Sequence, residues 1–220
     1  MTWRDKEGVK SLDELLQASA DQHRHLCPRQ VLGVRMGLLA GRLLGLEVPR
    51  QDKRLLALVE TDGCAADAIA VATGCRVGRR TLRVIDFGKV AATFVDVSME
   101  RAVRIAPRPL IREQARVYAP EATNHWQAQL LGYQRMPEGE LLLAQEVALV
   151  FSLEKLLSKA GYRVTCQACG EEIINEREVR QDGLILCRAC AGQRYYRLLE
   201  EPVPLPAEML IASAESERGA

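Results

Sequence analysis

Apolar residues first recur at helical spacing in the segment 11–22, where Leu12, Leu15 and Leu16 form a stripe. Ser11 with Glu14 three residues on is a capping box, so a helix is predicted to open there. A second helix is predicted over about 29–46, because Pro28 suits a first helical turn, where its missing N–H is not needed. Gly33, Met36, Gly37, Ala40 and Gly41 fall at helical spacing within it. Each glycine weakens a helix by about 1 kcal/mol, so their accumulation predicts a crowded helix closely approached by another backbone. The segment 53–60 reads as a strand, and CAADAIAVATG (64–74) as a short apolar helix ending at Gly74. Arg80–Ile85 and Lys89–Val97 read as two strands of a hairpin around Asp86-Phe87-Gly88, with 101–106 a third strand of the same meander. Pro107 and Pro109 end that strand, and helices are expected at 109–118 and 122–135. The stretch 137–160 has helical propensity, yet VALVF (147–151) serves equally as a buried strand. Strands and helices segregate rather than alternate, which predicts an α+β fold with an antiparallel or mixed sheet packed with helices.

The last third of the chain reads differently. Cys166 and Cys169 form one C-x2-C pair, Cys187 and Cys190 another, with seventeen residues between them. Four thiolates on two tight turns match the tetrahedral sulfur preference of Zn(II), and the spacing is that of structural zinc sites. Gln181-Asp182-Gly183 marks a small hairpin within this finger, and Cys187 to Leu199 a terminal helix carrying Tyr195 and Tyr196 as packing. The expected organisation is a core domain over 1–160, a four-cysteine finger over 161–200 and a tail over 201–220.

Composition narrows the function classes. Of 220 residues, 48% are hydrophobic and 27% charged, with a net charge of +1, ordinary values for a globular chain. No global field draws it to nucleic acid or to an anionic membrane. The start of the chain is charged, without the apolar run of a secretory signal, and the longest apolar stretch is broken by Gln145 and Glu146. Paired C-x2-C motifs suit a reducing compartment, and a cytoplasmic location with no membrane association is expected. Within 161–200, six arginines stand against six carboxylates. A phosphate-binding surface needs excess positive charge, so a protein partner ranks above nucleic acid for the finger.

A second group of candidate chemistry lies upstream. His23-x-His25-x-Cys27 sets three ligand types within five residues between two predicted helices, and alternate residues of an extended segment point the same way. Cys27 adjoins the start of the second helix, and Cys64 opens the third with Asp67 on its next turn. A helix dipole at each position is expected to lower the thiol pKa. Cys75 reads as a buried, inert thiol. His125-Trp126 reads as a packed or half-exposed pair rather than a site, and Trp3 as peripheral.

These residues resemble a known family. HRHLCPRQVLGVRMGLLA resembles the F-H-G-H-x-C-P-G-x-x-x-G-x-R-x-G signature of the FmdE family, named for the FmdE component of formylmethanofuran dehydrogenase. VETDGCAADAIAVATGCRVGRRTLRVIDFGKVAATF resembles that family's E-x3-C-x2-D-A-I-Q-x3-G-C-T-x-G-K and D-x-G-K segments, and CQACGE with CRAC the finger that some members append. The resemblance implies an α+β core, a treble-clef-type finger, a homodimer and a pocket around the His/Cys motif. By position it carries His23, His25, Cys27, Gly33, Arg35 and Gly37 in the first motif. It carries Glu60, Cys64, Asp67 and Cys75 in the second, and Asp86, Gly88 and Lys89 in the third. Gln22, Arg24, Arg29, Arg76 and Arg79 depart from it, and Arg76 and Arg79 are expected to raise the positive potential beside the pocket.

Three functional readings follow. In the first, His23, His25, Cys27 and Cys64 hold a second divalent ion in the core, Asp67 or Glu60 orients a histidine, and Lys89 holds a small anionic group. The family name ties this reading to molybdenum or tungsten one-carbon chemistry, or to metal or cofactor handling for it. In the second, the protein is a ligand- or metal-sensing regulator whose finger engages a partner. In the third, Cys27 and Cys64 are a metal-free thiol pair. Cys27, Cys64, Asp67 and Lys89 are the candidates for any catalytic role.

Overall fold

The computed structural model describes residues 10–157, 159, 161–197 and 199, and these divide into two compact units parted between Leu156 and Leu157. Helix α1 (Leu12–His23) opens on the expected capping box. The Glu14 N–H donates to Ser11 Oγ at 3.2 Å and the Ser11 N–H to Glu14 Oε2 at 2.7 Å. After a left-handed Arg24 the chain enters α2 (Pro28–Leu44), with Pro28 in its first turn and Gly45 as its left-handed cap. Strand β1 (Leu55–Val59) and helix α3 (Cys64–Thr73) follow.

The glycines of α2 explain how these elements pack. A Cβ at Gly33 would lie 2.7 Å from both the Ala65 carbonyl oxygen and Ala68 Cβ; one at Gly37 would lie 2.6 Å from Ala72 Cβ. Only hydrogen fits there, so α2 and α3 approach backbone to backbone. Rising positions on α2 meet rising positions on α3, so the two helices run the same way and both N-termini emerge at one end. Helix α2 is also the hub of the unit, in contact with α1, α3 and the sheet.

Strands β2 (Leu82–Val84), β3 (Ala92–Asp96), β4 (Arg101–Pro107) and β5 (Leu142–Val147) complete a five-stranded mixed sheet in the order β2-β1-β3-β4-β5. Only β1 and β2 are parallel, joined by α3 in a crossover. The expected hairpin of 80–85 with 89–97 does not form. Both strands pair instead with β1, on opposite edges. Strand β1 is buried throughout, so both its edges need protein partners. The Asp86–Gly88 turn passes around its end: the Phe87 and Lys89 N–H groups donate to the Glu60 carbonyl at 2.9 and 3.0 Å. The antiparallel pairing of β3 with β4 is as expected.

Helices α4 (Ile111–Tyr118) and α5 (His125–Arg135) pack against one another, with Gly132 against the Ala115 backbone. The ambiguous stretch resolves into a single turn α6 (Glu138–Leu141), strand β5 and helix α7 (Leu153–Leu157). Strand character therefore belongs to 142–147, which takes in only the first residue of the apolar VALVF run, because the β4 edge recruits it. Among the described residues no helix is long and apolar enough to cross a membrane.

In the second unit, β6 (Arg163–Thr165) pairs with β7 (Glu172–Ile174), and β8 (Val179–Gln181) with β9 (Leu184–Leu186). Asp182 and Gly183 both take positive φ, 51° and 78°, in the β8–β9 turn, as a tight hairpin requires. The terminal helix expected over 187–199 is not present as such: one π-helical turn, Ala189–Gln193, breaks at Gly192 with φ 93°. Tyr195 and Tyr196 stack edge to face, with ring centroids 5.2 Å apart, and Tyr195 is exposed rather than packed in the finger. Trp3 and the expected tail lie outside the described residues.

Candidate functional site: a cleft of thiols and arginines

Two segments deliver the core thiols to one place. Cys27 is the residue ahead of α2, and its N–H donates to Gln30 Oε1 at 2.7 Å. Gln30 is fully buried, and its amide nitrogen donates to the Ser19 carbonyl and to Ser19 Oγ, each at 3.0 Å. One side chain thus ties α1 to the start of α2 and fixes the loop between them. Cys64 is the first residue of α3, reached through Gly63 at φ 75°, ψ −153°, a conformation that is essentially glycine-only. The strand end before that turn is pinned by Glu60, whose carboxylate takes a bidentate pair from Arg104 at 2.6 and 2.7 Å. Because α2 and α3 run together, the Cys27 and Cys64 thiols face one another and line the same cleft.

The histidines lie differently. His23 ends α1 with its Nε2 3.0 Å from Asp67 Oδ2, off the line of a hydrogen bond, so it has a charged neighbour without an aligned partner. His25 is exposed and its ring stands edge-on to that of His23, 5.8 Å between centroids. The chain thus pairs thiol with thiol and histidine with carboxylate. Among the described residues, the only set of three or more such groups close enough to share one ion is in the finger. Asp67 lies beside His23 without an aligned hydrogen bond, whereas Glu60 is committed to Arg104.

The expected lowering of the Cys64 thiol at its helix start is outweighed. Burial pushes its pKa up, and the neighbouring Cys27 thiol pushes it further, against a backbone N–H at Cys64 and then Arg29, which pull it down. Cys75 is the inert thiol expected: it is buried, donates to the Leu55 carbonyl at 3.4 Å, and is pushed up by burial.

The cleft has a volume of about 580 Å³. Behind the thiols it is lined by Arg29 from α2, Arg108 and Arg112 around the start of α4, and Trp126 and Tyr133 from α5. Sequence reasoning missed Arg108, Arg112 and Tyr133, and it did not count Trp126, half-exposed here, as part of a site. The signal available was the spacing of Trp126, Gln129 and Tyr133, which puts all three on one helix face. Arg76 and Arg79 line a separate, shallower cleft with Asp62 and Asp67, and Arg79 donates to Gln51 Oε1 at 2.8 Å. Neither lines the thiol cleft. Lys89 is exposed and outside the thiol cleft, while its neighbour Val90 lines it. Arg35 donates to the carbonyls of Tyr133 and Met136 at 2.7 and 2.6 Å, at the C-terminal end of α5. It is a fastener between helices that holds the aromatic wall in place.

In the finger, Cys166, Cys169, Cys187 and Cys190 bring their sulfurs within 4.8 Å of one another. Cys169 Sγ and Cys187 Sγ are 4.0 Å apart, near the ~3.8 Å edge of a tetrahedron with Zn–S of about 2.3 Å. The Cys187 N–H donates to Cys166 Sγ at 3.2 Å and the Cys190 N–H to Cys187 Sγ at 3.4 Å. The first of these holds the Cys166 thiol down to about 6, while the crowding sulfurs of Cys187 and Cys169 push Cys190 up to about 12. Four sulfurs this close cannot all ionise unless a cation sits among them. The donor set therefore fits a metal ion such as zinc.

The sequence model of the FmdE family, described as molybdenum formylmethanofuran dehydrogenase operon, matches residues 22–152. The chain belongs to the FmdE family. That match covers the histidine, cysteine and glycine segments that build the cleft. A curated relative, a probable S-adenosyl-L-methionine-binding protein of Archaeoglobus fulgidus, is 29% identical over 216 residues, covering 88% of this chain and 57% of the relative. The chain thus spans little more than half of that relative's length. A crystal structure of a tungsten formylmethanofuran dehydrogenase FmdE-like protein from Syntrophus aciditrophicus superposes with a TM-score of 0.56 at 22% identity, covering 90% of this chain and all of that one. The likeness is one of fold.

Proposed function

We propose that this FmdE-family protein binds metal in two ways. The finger cysteines hold one structural zinc in a treble-clef arrangement. The cleft around Cys27 and Cys64 is the working centre, serving formylmethanofuran dehydrogenase-type one-carbon metabolism or the handling of metal or cofactor for it. The observation that carries this is the meeting of two thiols, 37 positions apart in the sequence, in one cleft at the start of two parallel helices. Two thiolates suit a soft or borderline divalent ion, with His23 and His25 within a loop's movement as further ligands. A metal bound there would supply Lewis-acid chemistry. The chain's own contribution is to hold the two thiols together, to keep Asp67 beside His23, and to set guanidiniums and aromatic rings behind them.

Metal analysis of the chain purified without chelator tests the core ion. Two equivalents per chain are expected, falling to one in the Cys27→Ser/Cys64→Ser double variant. One equivalent in both proteins would sink the core metal and leave the finger's zinc. A homodimer, a protein partner for the finger and a cytoplasmic location belong to the same reading. A second reading, a small-molecule sensor, draws on the name of the Archaeoglobus fulgidus relative. S-adenosylmethionine carries two positive groups against one carboxylate, however, and this cleft presents three guanidiniums against the single carboxylate of Glu113. Like charges oppose that ligand here.

A further inference from the structure

The arginines of the thiol cleft contrast with those that ion pairs hold elsewhere in the core. Six arginines elsewhere, at positions 42, 50, 54, 101, 104 and 135, each meet a carboxylate. Among the described residues, Arg29 and Arg112 take neither an ion pair nor a hydrogen bond, and both are exposed to the cleft. Arg108 is steadied by one bond, from Nε to the Gly139 carbonyl at 2.7 Å, which leaves its terminal nitrogens available. Arg29 acts on Cys64 and Arg112 on Tyr133, where Glu113, the one carboxylate lining the cleft, opposes it. Trp126 is 51% exposed on the lip and has no ring partner among the described residues, while Tyr133 is buried behind it. A cleft of about 580 Å³ is the size that takes a small organic ligand. Guanidiniums bind carboxylate and phosphate through two parallel hydrogen bonds, and a free indole face accepts a flat ring.

We propose that this cleft binds a small anionic molecule carrying a flat ring, its phosphate or carboxylate held by Arg29 and Arg112 and its ring laid on Trp126. The proposal rests on the cleft being the working centre, and it does not require an ion at the thiols. It also departs from the sequence-based expectation, which assigned the anion to Lys89 and the added charge to Arg76 and Arg79.

The test titrates the full chain, carrying Trp3→Phe so that Trp126 is the sole indole, with phenyl phosphate, benzoate and benzyl alcohol. Calorimetry and Trp126 fluorescence are read together. One or both anions should bind saturably at one site and change the fluorescence, and the neutral alcohol should bind at least about tenfold more weakly. Arg29→Ala and Arg112→Ala should each weaken the anion by about tenfold, and Arg76→Ala should not. Preference for phenyl phosphate assigns a phosphorylated ligand, and preference for benzoate a carboxylate. Failure of both anions to saturate by about 10 mM, or unchanged affinity in the Arg29→Ala/Arg112→Ala double variant, overturns the proposal. Metal content measured on the same samples separates the two readings: anion binding with only the finger's zinc present removes the core metal and leaves this inference standing.

Discussion

A carboxylate at the end of β3 shows how much one buried residue can set. Asp96 is 1% exposed and takes a bidentate pair from Arg54 at 2.9 and 2.7 Å, with the Ser98 N–H at 3.0 Å. The Arg54 guanidinium, and then the turn N–H groups, hold its pKa below the usual carboxylate value, against the opposing pull of burial. A folded-state pKa below the unfolded value of about 3.9 contributes stability above that pH, lost as pH falls through the folded value. Asp96→Asn should therefore cost about 2 kcal/mol at neutral pH. Urea midpoints measured from pH 7 down to acid should converge for variant and wild type; a gap that persists at the acid end would refute the linkage. The exposed pair of Arg50 with Asp52 shifts its carboxylate in the same direction, yet solvent screens it and little stability follows. Sequence alone could not separate the two, because burial is not written in a residue's name. The same holds at the cleft: Cys27 and Cys64 were legible as candidates, while Arg112 was one arginine among twenty-four.

At the scale of elements, backbone geometry decides where the thiols stand. Gly63 turns the chain from β1 into α3 at φ 75°, ψ −153°. Gly63→Ala should cost about 1–3 kcal/mol and displace Cys64. Thermal denaturation and the rate of thiol alkylation check the two consequences, and an unchanged melting temperature would show that the turn tolerates a Cβ. Capping signals, glycine spacing and proline positions made α1, α2 and α3 legible, since each acts within a turn or two of its own residue. The β2–β3 hairpin was misread for the complementary reason. Its turn signal was real, and Gly88 does take φ 64°, but both strands are claimed by β1, whose demand for partners on two edges lies in no local pattern. Likewise β5 owes its strand state to the β4 edge, and the helix expected after Cys187 gives way to one turn shaped by the cysteine cluster.

At the scale of the whole molecule, the two units depend on different forces. The core unit buries a continuous apolar cluster across helices and sheet, whereas the finger's cluster is little more than Cys166, Ile173 and Leu186 with their neighbours. So small a core needs an ion to fold. Cys169→Ser should cost one metal per chain and dissolve the β6–β9 hairpins while the core's cooperative melt persists. Backbone NMR resolves the two. Finger resonances that stay dispersed without metal would contradict this account. Charge at this scale was uninformative: a net charge of +1 says nothing of the cleft, where guanidiniums gather locally.

The sequence by itself determined the α+β class, the finger's four sulfurs, the helix that α2 would become and the family it belongs to. The first three rest on short-range rules of spacing, capping and turn chemistry, and the family on the likeness of its histidine, cysteine and glycine motifs. Tertiary structure decided that β1 stands between β2 and β3, that the thiols meet while His23 turns to Asp67, and that Arg29 and Arg112 rather than Lys89 line the cleft. Those outcomes depend on contacts between residues far apart in the chain, and only the packing of parallel α2 against α3 brings them within reach.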